Sequence, residues 1–168
     1  TNPQTPPQQC FLLSNFSSAL AITSGLQSAA IYRMKRTWEG LTPQSISKYE
    51  QLVSLMSRDG NFHNFREQTR SIHPPVVPYL GVFLTDLVMI DEGNPDVLPN
   101  GMINFDKSYM IGKIIHDIQI FQLAPYRLRP VPELQEYFRH LPVLGEEELY
   151  ALSVKWEPRP ASTPSTPQ

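Results

Sequence analysis

The sequence predicts an all-α fold, and three observations support this prediction. Seventeen of the 168 residues are prolines, and they leave proline-free windows at 8–42, 44–73, 79–94, 100–124 and 143–157. Proline is tolerated at the start of a helix but not in its interior, so windows of this length suit helices. Apolar residues recur at helical spacing within the windows. No window shows the alternation of apolar and polar residues that is typical of a strand.

Composition and charge narrow the classes of function. A net charge of −2 and a pI near 6.0 give no electrostatic case for binding nucleic acid or an anionic membrane. Cys10 is the only cysteine, so the chain can form no intrachain disulfide and no cysteine-based metal cage. Every apolar run ends well short of the roughly 18 residues of a membrane span. We therefore expect a cytoplasmic protein that neither binds nucleic acid nor inserts into a membrane. Any recruitment to a membrane would come from domains outside this chain.

The two ends of the chain differ in composition from its middle. The opening TNPQTPPQQ and the closing PRPASTPSTPQ are polar, rich in proline and almost free of apolar residues. Such segments cannot bury enough apolar surface to fold. We therefore expect a disordered tail or linker at 1–13 and a disordered tail at 160–168, on either side of one domain at 14–159.

The first predicted helices follow from caps and prolines. Ser14 can cap a helix through NFSSALAITSGLQ, and a short helix at 31–35 should follow. A threonine precedes Pro43, and this pair predicts a helix with proline at its first position that ends at Asp59-Gly60. A short polar helix through Phe62 leads to the extended connector HPPVVP.

The centre of the sequence predicts an αα-hairpin. The segment YLGVFLTDLVMIDE, which starts at Tyr79, is apolar around nearly its whole circumference, so it needs burial on more than one side or a partner. An amphipathic helix at 102–122 follows the turn-rich segment GNPDVLPNG. Asp91 and Glu92 end the first helix, where acids oppose the helix dipole. They are either an ordinary solvent-exposed end or part of a tip that inserts into another protein.

The remaining sequence predicts two more helices, at about 132–141 and 145–157. The acids of EEELYALSVKWE lie in the first turn of the last helix, where the helix dipole favours them. The basic segment YRMKRTW is typical of a solvated helix face, and a nucleic-acid or adaptor segment is a weaker alternative.

Common catalytic motifs are absent from the sequence. The glycines are scattered and form no phosphate-binding loop. The four histidines are far apart and form no metal-binding motif, so we expect no metal site. There is no nucleophile motif, and Cys10 lies in a proline-rich segment. We expect neither a cofactor nor covalent chemistry.

Several longer motifs identify a family. The run VPYLGVFLTDLVMIDEGNPDVLPNGMINFDK, followed by IIHDIQIFQLAPYRLRP and WEPR, resembles the catalytic domain of the RasGEF family, the guanine nucleotide exchange factors of Ras-like small GTPases. NFSSALAITSGLQSAAIYRMKRTWEGL and NFHNFREQTR are similar to two other segments of that family. The resemblance covers residues 14–159. It implies a helical bowl with a projecting hairpin at about 79–122, and it implies that the N-terminal helices of the family's domain are missing from this chain.

The resemblance also implies a mechanism. The protein would accelerate GDP release from a GTPase of the Ras, Rap or Ral type, and the hairpin would displace the first switch segment. Val88 would block the magnesium position, and Glu92 would present negative charge near the α-phosphate. A carboxylate there competes with the phosphates that Mg²⁺ and the phosphate-binding loop hold. The alternative is a catalytically weak or inactive module that only binds a small GTPase or a scaffold.

Further site residues are assigned by the same resemblance. The resemblance implies that Gly93 and Gln27 support the hairpin. Gln27 stands where the family has an asparagine, and its extra methylene changes the reach of the amide. Val88 is smaller than the leucine often found in the family. Ordinary core packing remains an alternative for the aromatic contacts. The residues implied to contact the GTPase are Tyr32, Phe62, Tyr79, Asp91, Asn94 and Lys107.

Overall fold

The computed structural model describes residues 6–159, which contain ten helices. The helices are α1 (Pro6–Leu12), α2 (Phe16–Leu26), α3 (Ala29–Tyr32), α4 (Lys35–Glu39), α5 (Pro43–Leu55), α6 (Asp59–Arg70), α7 (Leu80–Gly93), α8 (Phe105–Ile120), α9 (Pro132–Arg139) and α10 (Glu146–Trp156). Strand-like pairing within these residues is limited to isolated bridges between Asn15 and Val77 and between Val97 and Ile103. The predicted all-α fold is therefore confirmed. No helix in the described range is long and apolar enough to cross a bilayer.

The described chain divides into two compact units. The first unit comprises residues 6–23 and 44–127, and the second comprises 24–43 and 128–159. The predicted hairpin lies entirely in the first unit, together with α5 and α6. The second unit contains α3, α4, α9 and α10.

Aromatic residues dominate the core of the first unit. The rings of Phe16 and Phe65 are fully buried and pack edge to face, with their centroids 5.4 Å apart. Truncating a buried aromatic ring to alanine typically costs about 3–5 kcal/mol, so this pair is a major part of the unit's stability. The buried apolar cluster consists of Phe16, Met56, Phe65, Val76, Val82 and Phe121.

Helix α1 lies where the sequence predicted a disordered tail. Prolines occupy its first turn, where a proline breaks no intrahelical hydrogen bond. The ring of Phe11 packs edge-on against the ring of Phe16, with their centroids 6.1 Å apart. The carbonyl of Leu13 accepts a hydrogen bond from the hydroxyl of Tyr126. The prediction of a tail at 1–13 is therefore wrong for residues 6–12. The predicted tail at 160–168 lies outside the described residues.

Helix α2 is capped one residue later than the sequence predicted. The Oδ1 atom of Asn15 accepts a hydrogen bond from the backbone N–H of Ser18 at 3.0 Å. Ser14 instead has a φ of 53° and pairs its carbonyl with the N–H of Val77 at 3.0 Å. The residues around Ser14 therefore join the start of α2 to the connector that leads into the hairpin.

A left-handed turn separates α5 from the regular part of α6. Gly60, Asn61 and Phe62 have φ values of 56°, 57° and 58°. Glycine adopts this conformation freely, whereas other residues pay roughly 1–2 kcal/mol each. The sequence predicted that the helix beginning at Pro43 ends at Asp59-Gly60, but α5 already ends at Leu55. Residues 56–58 instead leave the helix, and the left-handed residues 60–62 at the beginning of α6 place Phe62.

The second unit is held together by reciprocal capping. The guanidinium of Arg33 donates hydrogen bonds to the carbonyls of Ser153 at 2.9 Å and Glu157 at 2.8 Å, at the C-terminal end of α10. The carboxylate of Glu157 accepts hydrogen bonds from the backbone N–H groups of Arg36 at 3.1 Å and Thr37 at 3.2 Å, in α4. Each charge lies at the helix end whose dipole favours it. Arg33, which the sequence predicted on a solvated face, therefore has a structural partner.

The capping by Glu157 predicts a loss of stability in acid. Desolvation raises the pKa of Glu157, but the hydrogen bonds from Arg36 and Thr37 outweigh it and leave the pKa below its ordinary value. A carboxyl whose pKa is lower in the folded than in the unfolded protein stabilises the fold at pH values above its unfolded pKa. This stabilisation is lost as the pH falls through the folded pKa. We expect Glu157→Gln to lower the melting temperature at pH 7 and to flatten its decline between about pH 5 and pH 3. Circular dichroism melting across this range measures both effects.

The matched control is Glu148→Gln, which neutralises an exposed acid in the first turn of α10. This variant should keep the acid dependence of the wild-type chain. Identical pH profiles for Glu157→Gln and the wild-type chain would contradict the assignment.

Candidate functional site

The candidate site is the hairpin formed by α7, α8 and the loop at 94–104. Val82 anchors the beginning of α7 in the core and is only 1% exposed. One turn later, the carboxylate of Asp86 forms a two-pronged ion pair with Arg66 of α6, at 2.6 and 2.8 Å. Among the described residues of α7, only Val82 is buried. The distal half of the helix therefore adds little to the core.

One face of α7 is apolar and uncovered. Leu84, Val88 and Glu92 follow each other at intervals of four residues, so they share this face. Leu84 is 58% exposed and Val88 is 53% exposed. The sequence left open whether this apolar helix is buried or needs a partner, and the structure leaves this face to solvent. A row of uncovered apolar side chains is typical of a surface that binds another molecule.

Glu92 ends the uncovered face with a free carboxylate. Its side chain is exposed and has no hydrogen bond or ion pair within residues 6–159. The neighbouring Asp91 differs, because its carboxylate is paired inside the hairpin. The two adjacent acids are therefore not equivalent, because Asp91 is paired with Lys107 whereas Glu92 has no partner among the described residues.

A buried lysine joins the two helices and the loop. The ammonium of Lys107, in the first turn of α8, lies 2.7 Å from the carboxylate of Asp91 and 2.6 Å from that of Asp96. It also donates to the backbone carbonyl of Asp91 at 3.2 Å. The Lys107 side chain is only 8% exposed. The hydrogen bond to Asp91 and then that to Asp96 raise the pKa of Lys107 above its ordinary value, so the lysine is charged at neutral pH.

Two asparagines fix the backbone of the hairpin loop. The amide of Asn94 donates to the carbonyl of Ile90 at 2.9 Å and so closes the last turn of α7. The Oδ1 atom of Asn104 accepts from the backbone N–H of Lys107 at 3.2 Å, and its amide donates to the carbonyl of Pro95 at 2.9 Å. Asn104 is buried, and it is not among the site residues predicted from the sequence. An asparagine just before a helix with an acid in its first turn is a recognisable cap signal.

Tyr79 and Phe62 are brought together at the base of the hairpin. Their ring centroids lie 5.7 Å apart. A Cβ atom at Gly81 would overlap with the ring of Tyr79, so glycine at this position makes room for that ring. Gly93 shows no such requirement, because a Cβ there would meet no atom within 4 Å. The role of Gly93 in supporting the hairpin therefore has no packing basis in the described structure.

The other two predicted site residues belong to the second unit. Gln27 follows α2 and is exposed, with its backbone N–H bonded to the carbonyl of Ser24 at 3.2 Å. Tyr32 ends α3 and is exposed, and the ammonium of Lys35 lies 3.9 Å from the centroid of its ring. A cation over an aromatic face is a favourable contact that orients the Tyr32 ring.

Comparisons with known proteins point to the same family over most of the chain. A family model described as the RasGEF domain matches residues 7–109, a region that contains all of α7 and the beginning of α8. The chain is 42% identical over 151 residues to Ras-specific guanine nucleotide-releasing factor 2 of Danio rerio, covering 89% of this chain and 12% of that protein.

Two further relatives have similar identities to this chain. The chain is 38% identical over 151 residues to Ras-specific guanine nucleotide-releasing factor 1 of Homo sapiens, covering 89% of this chain and 12% of that protein. It is 39% identical over 150 residues to Ras guanine nucleotide exchange factor K of Dictyostelium discoideum, covering 89% of this chain and 10% of that protein. The chain thus spans 10–12% of the length of these curated relatives.

The buried lysine gives a testable prediction about the hairpin loop. Lys107→Met keeps the length of the side chain but removes the charge, so Asp91 and Asp96 lose their shared partner and repel each other. We expect amide hydrogen exchange in 94–104 to become several-fold faster, while exchange in the aromatic core stays unchanged. Mass spectrometry of the exchanged peptides measures this difference.

Lys113→Met is the matched control, because Lys113 is an exposed lysine of the same helix. It should leave the exchange of the loop unchanged. Equal exchange rates for the two variants would show that the buried lysine does not hold the loop.

Proposed function

Because the chain belongs to the RasGEF domain family, we propose that it accelerates the release of guanine nucleotide from a Ras-like small GTPase. The observation that supports this proposal is the uncovered apolar face of α7, which ends at the unpaired carboxylate of Glu92. An apolar strip with a charge at its end suits a partner whose pocket is apolar at the rim and positive inside. The phosphate-binding site of a GTPase, with its lysine and bound cation, has that positive interior.

The proposed mechanism uses the hairpin as a wedge beside the nucleotide. Val88 would occupy the space of the magnesium ion, and Glu92 would offer a carboxylate to the groups that hold the phosphates. Nucleotide is held largely through Mg²⁺ and phosphate contacts, so competition for both weakens it. A protein that binds the empty GTPase better than the loaded form lowers nucleotide affinity by the same factor. The exchange makes and breaks no covalent bond.

We propose further residues that would contact the GTPase. We place Phe62 and Tyr79 at the base of the hairpin, where their rings meet. Asn94 lies beside the tip, and Tyr32 offers an exposed ring on the second unit. The side chain of Asp91 is 71% exposed, whereas Lys107 is buried and would act by holding Asp91 in place.

A second candidate function is binding without exchange. Gln27 favours it, because this longer amide stands where the family resemblance implies an asparagine that supports the hairpin. In this case the chain would dock on a GTPase without lowering the affinity for nucleotide. The two candidates differ in one measurable quantity, the rate at which GDP leaves the GTPase.

The function is tested by release of fluorescent GDP from Ras, Rap and Ral GTPases, with excess unlabelled nucleotide present. We expect the wild-type chain to accelerate release from at least one of these GTPases. Binding to a nucleotide-free GTPase without acceleration would support the second candidate. Neither binding nor acceleration with any of the three would contradict both candidates.

Glu92→Gln tests the proposed role of the free carboxylate. The variant preserves the size of the side chain and removes the charge that competes with phosphate. We expect the catalysed release rate to fall about tenfold or more, because charge-assisted hydrogen bonds contribute more than neutral ones. The fold should be unaffected, since Glu92 has no partner within residues 6–159.

Glu133→Gln is the control for this prediction, because it neutralises an exposed acid of α9 in the other unit. It should retain the wild-type release rate. A Glu92→Gln variant as active as this control would contradict the proposed role.

A further inference from the structure

We infer that Arg66 is a positioning residue, which locks the left-handed turn at 60–62 to the hairpin helix α7. The inference rests on the proposed function, because it assigns Arg66 a role in aiming Phe62 and the hairpin at a GTPase. Arg66 itself need not touch the partner. Its role is to fix the relative placement of two elements that the proposed function uses together.

The contacts of Arg66 join the two elements through one rigid group. Its Nη1 and Nη2 atoms donate to the two carboxylate oxygens of Asp86 at 2.6 and 2.8 Å. Its Nε atom donates to the backbone carbonyl of Asn61 at 2.7 Å. The planar guanidinium holds all three donors in fixed geometry. Moving either the Asp86 carboxylate or the Asn61 carbonyl therefore strains the hydrogen bonds to the other group. The side chains of Arg66 and Asp86 are 27% and 22% exposed, which limits screening of the pair by water.

The turn needs such a clamp because its backbone is unfavourable. Asn61 and Phe62 are not glycines, yet both have left-handed φ values. Residues in this region persist only when the surrounding structure holds them there. The bond from Arg66 reaches the carbonyl of Asn61, immediately before Phe62. It therefore acts on the peptide unit that sets the direction of the Phe62 ring toward Tyr79.

The hairpin needs the clamp because Asp86 is a late point of attachment along α7. After Asp86, the polar side-chain contacts of α7 that the structure describes stay within the hairpin, as with Asp91 and Lys107. Glu92 lies six residues further on, or about 9 Å along the helix axis. A tilt of roughly 10° at Asp86 would move the Glu92 backbone by about 1.5 Å on this geometry. Displacements of this size are large enough to weaken a reaction that depends on placement.

A second ion pair on α6 provides a matched control. Arg70 pairs with Glu67 one turn further along the same helix, and both side chains are exposed. This pair stays within α6 and reaches neither the turn nor α7. If ion pairs on α6 served only the stability of that helix, changing either arginine would have similar effects.

The experiment uses two single variants, Arg66→Lys and Asp86→Asn, and the double variant that carries both changes. Arg70→Lys is the control. A lysine keeps the charge of Arg66 but cannot bond both oxygens of Asp86 and the carbonyl of Asn61 together. We expect release of fluorescent GDP at saturating GTPase to fall about tenfold in each single variant of the clamp. The double variant should fall no further, because both changes break the same clamp. Arg70→Lys should behave as the wild-type chain.

A rescue variant and hydrogen exchange separate positioning from general stability. Adding Asn61→Gly to Arg66→Lys relieves the backbone cost of the turn, so we expect it to restore part of the release rate. Amide exchange should become faster at 60–62 and 80–93 in Arg66→Lys, and should stay unchanged in Arg70→Lys. Wild-type release rates in both single clamp variants would overturn the inference. An equal loss of rate in Arg70→Lys would also overturn it, because the effect would then not be specific to the clamp.

Failure of the proposed function leaves a distinct result. If the wild-type chain accelerates GDP release from none of the GTPases, the proposed function fails. Hydrogen exchange still tests the clamp, because it does not need a GTPase. Faster exchange at both 60–62 and 80–93 in Arg66→Lys would then still support the link between turn and hairpin. Unchanged exchange in either segment would overturn it.

Discussion

The tip of the hairpin depends on a single buried ammonium group placed between two carboxylates. Lys107 is almost fully removed from solvent, and a buried charge is stable only when other charges and hydrogen bonds replace its water. Asp91 and Asp96 supply these groups from the end of α7 and from the loop. The three parts of the hairpin tip therefore share one electrostatic centre. This centre stabilises the tip where the uncovered side chains of α7 contribute little burial.

Separating the support of the hairpin from its exposed face has a functional consequence. The groups that hold it are Val82 in the core, Asp86 on Arg66, and Lys107 at the tip. These leave the face with Val88 and Glu92 free of internal partners. A surface that is held rigid before binding loses less conformational entropy on association. Under the proposed function, the hairpin would therefore bind its partner without first having to fold.

The sequence predicted helices well where local rules decide them. Pro43 begins α5, and Pro132 begins α9, because proline suits the first turn and disrupts the interior. The hairpin was also predicted, although its loop at 94–104 is longer than the nine-residue turn segment GNPDVLPNG that the sequence indicated. The helix at Pro6–Leu12 was missed, since its prolines resemble those of a disordered tail and its anchor, Phe16, lies outside it.

Contacts between distant residues could not be predicted in this way. Arg33 and Glu157 are 124 residues apart, and periodicity reports only on the faces of a single helix. The pairing of Lys107 with Asp91 and Asp96, and the left-handed backbone at Phe62, likewise depend on tertiary packing. Apolar periodicity also could not tell whether the face with Val88 is buried or exposed. The apolar pattern left burial and a partner as alternatives, and the family resemblance favoured a partner.

In the proposed function, the hairpin couples binding of a GTPase to loss of its nucleotide. The most direct test measures the dissociation constant of the chain for one Ras-like GTPase in two states, nucleotide-free and loaded with GDP and Mg²⁺. We predict binding that is at least about a hundredfold tighter to the nucleotide-free state, because coupling between two sites is reciprocal. Equal dissociation constants for the two states would contradict the claim, since a ligand with no preference cannot shift the equilibrium.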